Sequence, residues 1–155
     1  MVKSKKETGS HLGIERILVP TDFSECFRKA EECAGSIAKV FKAEIFLLHV
    51  MELAGYPLVT SWIQPPYPFD LREELVEKTR KQANKLKERG IEAEGYCISG
   101  IPSIEILKAV EEYAVDLVVM GTHGRTGLAH ILLGSTAERV IQRAQCPVLT
   151  IPVLT

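Results

Sequence analysis

Two short stretches hold residues able to do chemistry together. The first is Pro20-Thr21-Asp22, where an apolar run ends on a hydroxyl and a carboxylate. The second runs from Gly121 through Thr122, His123, Gly124, Arg125, Thr126 and Gly127 and closes on Gly134-Ser135. Glycine lets backbone N–H groups approach a phosphate with no Cβ in the way, and a helix N-terminus adds unpaired donors and the positive end of a dipole. Both devices meet in the second stretch, because the residues after Ser135 follow a helical pattern. No carboxylate lies between Gly121 and Leu133, and His123 is the one proton acceptor close to the glycines. That set suits gripping a phosphate better than transferring it, which needs a base and a metal site. Taken one by one, the glycines also read as turn residues, Ser135 as a helix cap and Arg125 as a solvated loop arginine. Asp22 likewise has two jobs open to it: it can lie beside a ligand, or cap the next helix with Glu25 three residues on.

Two other phosphate loops are excluded, since the chain has no GxxxxGK[ST] and no GxGxxG after its first strand.

The elements that must position these residues follow from hydrophobic period. Strands are expected over Ile14 to Pro20, Glu44 to Val50, Ile91 to Ile98, Leu117 to Met120 and Val148 to Val153. Between them lie four helical patterns. The first, Ser24 to Lys42, puts Phe27, Ala30, Ala34, Ile37, Ala38 and Phe41 on one face. The second, Asp70 to Arg89, turns Leu71, Leu75, Thr79, Ala83 and Leu86 inward and stops at Gly90. The third opens at Pro102 and ends near Tyr113. The fourth, Thr136 to Ala144, starts from a capping box of Ser135 and Glu138. This βαβα alternation predicts an α/β fold: a single doubly wound five-stranded parallel sheet in the order 3-2-1-4-5 with four helices, Rossmann-like or flavodoxin-like. In that order the carboxyl ends of strands one and four are neighbours at the switch point, where open α/β sheets bind ligands.

With 155 residues the chain has room for one core. Residues 1–12 are polar, carry no apolar run after Lys3, Lys5 and Lys6, and read as a disordered N-terminal tail rather than a secretory signal; the domain is expected over 13–155. The net charge of −1 offers no excess to draw nucleic acid or a membrane surface, and neither is expected as a partner. Cys26, Cys33, Cys97 and Cys146 show no metal-ligand spacing and read as buried reduced thiols, which favours a cytoplasmic location. The connection from Met51 to Phe69 is long for a compact domain. It gathers Pro57, Pro65, Pro66 and Pro68 with Tyr56, Trp62, Tyr67 and Phe69, and suits a lid over a ligand or a partner surface.

The spacing Gly121, two residues, Gly124, nine residues, Gly134-Ser135 resembles the nucleotide loop of the universal stress protein family. Ile17 to Ser24 is similar to that family's opening strand, Leu48-His49-Val50 to its second, Asp116 to Arg125 to its fourth, and Cys146-Pro147-Val148-Leu149 to its closing strand. The likeness runs from about Ile14 to Val153, and the retained glycine spacing resembles the family's ATP-binding branch. What the resemblance implies is an ATP-binding stress-response protein, with ATP (or ADP or AMP) and Mg²⁺ as ligands. Gly121, Gly124, Gly134 and Ser135 would hold ribose and phosphates, with Thr136 adding a donor. Asp22 would lie beside the nucleoside and the main chain of Val50 would meet the adenine edge. Pro20, Thr21, Met120, His123 and Arg125 would complete the site. The family also pairs into dimers, commonly through its last strand, so a homodimer through Val148 to Val153 is expected. The other functional readings are a slow ATP hydrolase or other nucleotide-using enzyme, and a ligand-free dimeric interaction module.

Overall fold

Successive residues of a strand point to opposite faces of its sheet, so an unbroken apolar strand needs cover on both. The computed structural model, which describes residues 13–52, 69–122 and 133–152, supplies that cover. The expected N-terminal tail lies outside the described residues, as do most of the aromatic connection, His123, Gly124 and Arg125 of the glycine loop, and the last three residues. The elements are β1 (Arg16–Thr21), α1 (Glu25–Phe41), β2 (Glu44–Glu52), α2 (Phe69–Glu88), β3 (Ala93–Gly100), α3 (Pro102–Glu112), β4 (Leu117–Gly121), α4 (Ser135–Arg143) and β5 (Val148–Ile151). The five strands form one parallel sheet in the order β3-β2-β1-β4-β5, the expected architecture.

Ile17 and Val19 of β1 join Phe27, Ala30, Ala34 and Ala38 of α1 and Ala83 and Leu86 of α2 in one buried cluster. Leu18 points the other way, into a second cluster with Ile106, Ala109 and Val110 of α3 and Ala137 and Val140 of α4. One helix pair thus covers each face. Gly90 ends α2 with φ of 77°, as its position after the helical pattern predicts. Leu71, expected inward, is 38% exposed, because the first turn of α2 runs past the core that buries Thr79, Ala83 and Leu86.

The register opens the sheet at one place. β1 pairs with β2 over six residue pairs, from Arg16↔Glu44 to Thr21↔His49. Its bridges to β4 are Ile17↔Leu117 and Leu18↔Val118 only. Pro20 cannot donate to a ladder and would be out of place in a fully paired central strand. It falls where β1 has run beyond its β4 bridges.

Candidate functional site

Beyond those bridges lies a cleft of about 1160 Å³ at the carboxyl ends of the strands. Its lining brings together nine residues expected from the sequence: Pro20, Thr21 and Asp22 after β1, Val50 on β2, Met120 and Gly121 on β4, and Gly134, Ser135 and Thr136 at the start of α4. The two ends of the glycine loop are tied, since the Gly134 N–H donates to the Thr122 carbonyl at 2.7 Å. That bond returns the chain to the strand it left and seats the N-terminus of α4 on the cleft.

Asp22 is not the cap of α1. Ser24 is, its Oγ accepting from the Phe27 N–H at 3.3 Å, and the residue three beyond it is a phenylalanine, so no capping box forms. Glu25 instead pairs with Arg28 at 2.6 Å on the exposed surface. The Ser24 N–H donates to Asp22 Oδ1 at 3.0 Å, an Asx-type turn. The other oxygen of Asp22, Oδ2, is buried with no hydrogen-bond partner among the described residues. Buried polar atoms are nearly always satisfied, so this oxygen calls for a partner such as a water, an ion or a ligand.

The capping expectation for α4 also needs correction. Its N-cap is Gly134, and Ser135 is already the first helical residue, one position too late to cap. The reason is the bond to Thr122, which fixes Gly134 in extended geometry at φ −73° and starts the helix there. The first N–H groups of a helix have no partner within it. With a glycine as cap they have no side-chain acceptor from the cap either, and Ser135 and Thr136 both line the cleft.

Gly121 has a packing reason for being glycine as well. A Cβ there would run into the Cys26 Sγ and lie 3.0 Å from the Cys26 Cβ, so β4 can close on α1 only without a side chain. Cys26 in turn donates to the Ile151 carbonyl at 3.3 Å. All four cysteines are free, but Cys26 is the one that is buried; the other three are half-buried. Burial raises the pKa of the Cys97 and Cys146 thiols.

Sequence reasoning missed several residues of the wall. His49 is buried on β2, with Nδ1 2.8 Å from the Thr21 carbonyl; because a carbonyl only accepts, that nitrogen carries the proton. Phe23, Lys78 on α2, and Pro102 and Ile106 on α3 also line the cleft. A polar His49 inside an otherwise apolar strand was the available signal. Lys78 falls three residues after Leu75 on the inward stripe of α2, a spacing that places both on one face.

Residues 13–152 match the model of the Universal stress protein family. The chain is 39% identical over 140 residues to Universal stress protein MJ0531 of Methanocaldococcus jannaschii, covering 88% of this chain and 81% of that protein. It is 32% identical over 157 residues to Universal stress protein MJ0577 of the same organism, covering 88% and 94%. The solved structure of hypothetical protein MJ0577 superposes with a TM-score of 0.75 at 31% identity, covering 92% of this chain and 99% of that one.

Proposed function

The chain belongs to the universal stress protein family, and on that premise we propose that it is a regulatory protein that binds an adenine nucleotide, ATP before ADP or AMP, at the switch point between β1 and β4. The observation that carries this reading is one cleft lined both by Asp22, whose buried Oδ2 has no hydrogen-bond partner among the described residues, and by the glycine-capped start of α4. A nucleoside fits the first feature, because its hydroxyl and amino groups are donors and an ionised carboxylate only accepts. A phosphate chain fits the second. The main chain of Val50 meets the adenine edge, Pro20, Thr21 and Met120 form walls, and the backbones of Gly121 and Gly134 with Ser135 and Thr136 hold ribose and phosphates. Mg²⁺ would arrive on the phosphates as their counter-ion. His123, Gly124 and Arg125, outside the described residues, join the site on the family likeness alone. A universal stress protein has been solved in complex with cAMP, and one from Archaeoglobus fulgidus with dAMP; both share this fold, with TM-scores of 0.67. The four unpaired thiols support a cytoplasmic location. Among the described residues no helix is long and apolar enough to cross a membrane.

The test is to purify the chain without added nucleotide, identify any small molecule released on denaturation by mass spectrometry, and titrate ATP–Mg²⁺ by calorimetry. Ser135→Asp is the informative variant. A carboxylate in the first turn of α4 suits the helix dipole, so the fold keeps its stability while the phosphates are repelled. Binding by the native chain with at least about tenfold loss in Ser135→Asp, equal to 1.4 kcal/mol, supports the reading. No adenine nucleotide and no heat of binding sink it in favour of a ligand-free module. Robust hydrolysis abolished by His123→Ala would make the protein an enzyme instead.

A further inference from the structure

Among the described residues three non-glycine residues have positive φ: Phe23 at 61°, Lys42 at 56° and Ala114 at 49°. Lys42 is the C-cap of α1 and Ala114 follows the C-cap of α3, places where a left-handed residue is the usual way to end a helix. Phe23 has no such reason. It precedes an N-cap, and a bulky aromatic in this region is a rare conformation that persists only when the surroundings fix it.

Three contacts fix it. The Phe23 N–H donates to Thr21 Oγ1 at 3.0 Å. The ring meets the His49 imidazole with centroids 4.7 Å apart and planes at 36°, and His49 is itself tied to the Thr21 carbonyl. The third contact comes from far along the chain: Lys78 Nζ on α2 sits 4.2 Å from the centre of the Phe23 ring, a cation–π geometry. The left-handed turn at Phe23 joins the Asp22 carboxylate to the Ser24 N–H that Oδ1 binds. Lys78 lines the same cleft as Asp22.

We infer that Lys78 is a positioning residue for the nucleotide: its ammonium over Phe23 holds the loop from Thr21 to Ser24 in the conformation that puts Asp22 in the wall of the cleft. The inference rests on the nucleotide reading above and deepens it, since it gives α2 a part in setting affinity. It also separates two roles a lysine in this wall can have. A lysine that touches phosphate acts only on charged ligands. One that acts through Phe23 and Asp22 acts on the nucleoside whatever follows it.

The experiment compares the native chain with Lys78→Met, which keeps the aliphatic stem, and Lys78→Arg, which restores a cation able to lie on a ring. ATP–Mg²⁺ and adenosine are titrated into each by calorimetry, and the backbone amide NMR shifts of Asp22, Phe23 and Ser24 are recorded without ligand. Lys78→Met is expected to weaken ATP and adenosine by the same factor, about two- to fivefold, the worth of a cation–π contact at an exposed lysine. Lys78→Arg is expected to recover most of that loss. The three amides should shift in Lys78→Met and return in Lys78→Arg. A loss confined to ATP would make Lys78 a phosphate contact and overturn the proposal, as would unchanged affinity for both ligands. If the native chain binds neither ligand, the nucleotide reading has failed on its own; unmoved amides in Lys78→Met then overturn the hold on the loop separately.

Discussion

Asp22 and Gly121 each serve the fold and the cleft at once, and substitutions can separate the two. Asp22→Asn keeps the Oδ1 acceptor for the Ser24 N–H and replaces the partnerless Oδ2 by a neutral amide. The chain without ligand is expected to melt no lower than the native one, while ATP binds about tenfold more weakly, because an amide NH₂ cannot accept from the nucleoside. Calorimetry beside a thermal melt checks both halves; unchanged affinity would reduce Asp22 to a loop staple. Gly121→Ala works the other way. Its methyl meets Cys26, so urea unfolding should show a loss of about 1–3 kcal/mol, the usual range for overpacking, and adding Cys26→Ala should recover part of it. A Gly121→Ala protein of native stability would mean that the glycine serves the ligand alone. The sequence marked both positions as special because an aspartate and a glycine stand at strand ends. It could not tell which atoms of Asp22 were already engaged, or that α1 closes on Gly121, since neither is a property of the local chain.

At the scale of elements, period and composition locate the helices and strands, and tertiary partners set their ends. β2 runs to Glu52, two residues past its expected end at Val50, because β3 continues beside it through Met51↔Ser99 and Glu52↔Gly100. The start of α4 shifted for a similar reason, the Thr122 bond fixing its cap. The least legible feature is the seam between α1 and α2. Glu31 reads as a surface residue of a helix, yet it is 5% exposed and accepts from Gln82 Nε2 at 2.6 Å. Burial raises its pKa above the usual 4.5, against the lowering effect of Gln82, Arg89 and Lys85. A carboxyl with a raised pKa in the fold gives its full stability below the unfolded value and loses it as pH climbs through the folded one. Glu31→Gln, which keeps an oxygen for Gln82, should therefore stabilise the protein at pH 7 by about 1 kcal/mol, or roughly 2–4 °C in Tm. The gain should vanish as pH falls below about 4.5. A gain that persists in acid, or a loss at pH 7, would show that the charged form is the better partner across the seam.

For the whole molecule the open question is what covers the edges of the sheet. An exposed edge strand is a template for pairing, and proteins guard it with charge. β3, at one edge, carries the exposed Glu94. β5, at the other, has no charged residue; Leu149 is 37% exposed on it, and Ile141 is 44% exposed on the adjacent α4. Among the described residues the unguarded edge is therefore β5, and we propose that the homodimer expected from the family likeness pairs two copies there about a twofold axis. Four residues of strand supply few ladder bonds, so the side chains beside it must carry much of the interface. Leu149→Lys should leave the protomer folded, because the residue is exposed in it, and bring two like charges toward each other across the axis. Sedimentation equilibrium at micromolar concentration is expected to give a dimer for the native chain and a monomer for Leu149→Lys; a monomeric native chain removes the dimer. The same run with ATP–Mg²⁺ carries the argument further. Ile151 at the end of β5 accepts from the Thr122 N–H at 3.1 Å and from Cys26, so the pairing edge is bonded to the base of the glycine loop. If phosphates gripped at the glycine loop also steady β5, ATP must tighten the dimer, and by reciprocity the dimer must bind ATP more tightly than the Leu149→Lys monomer does. Equal ATP affinity in the two would mean that the nucleotide signal leaves the molecule by another surface.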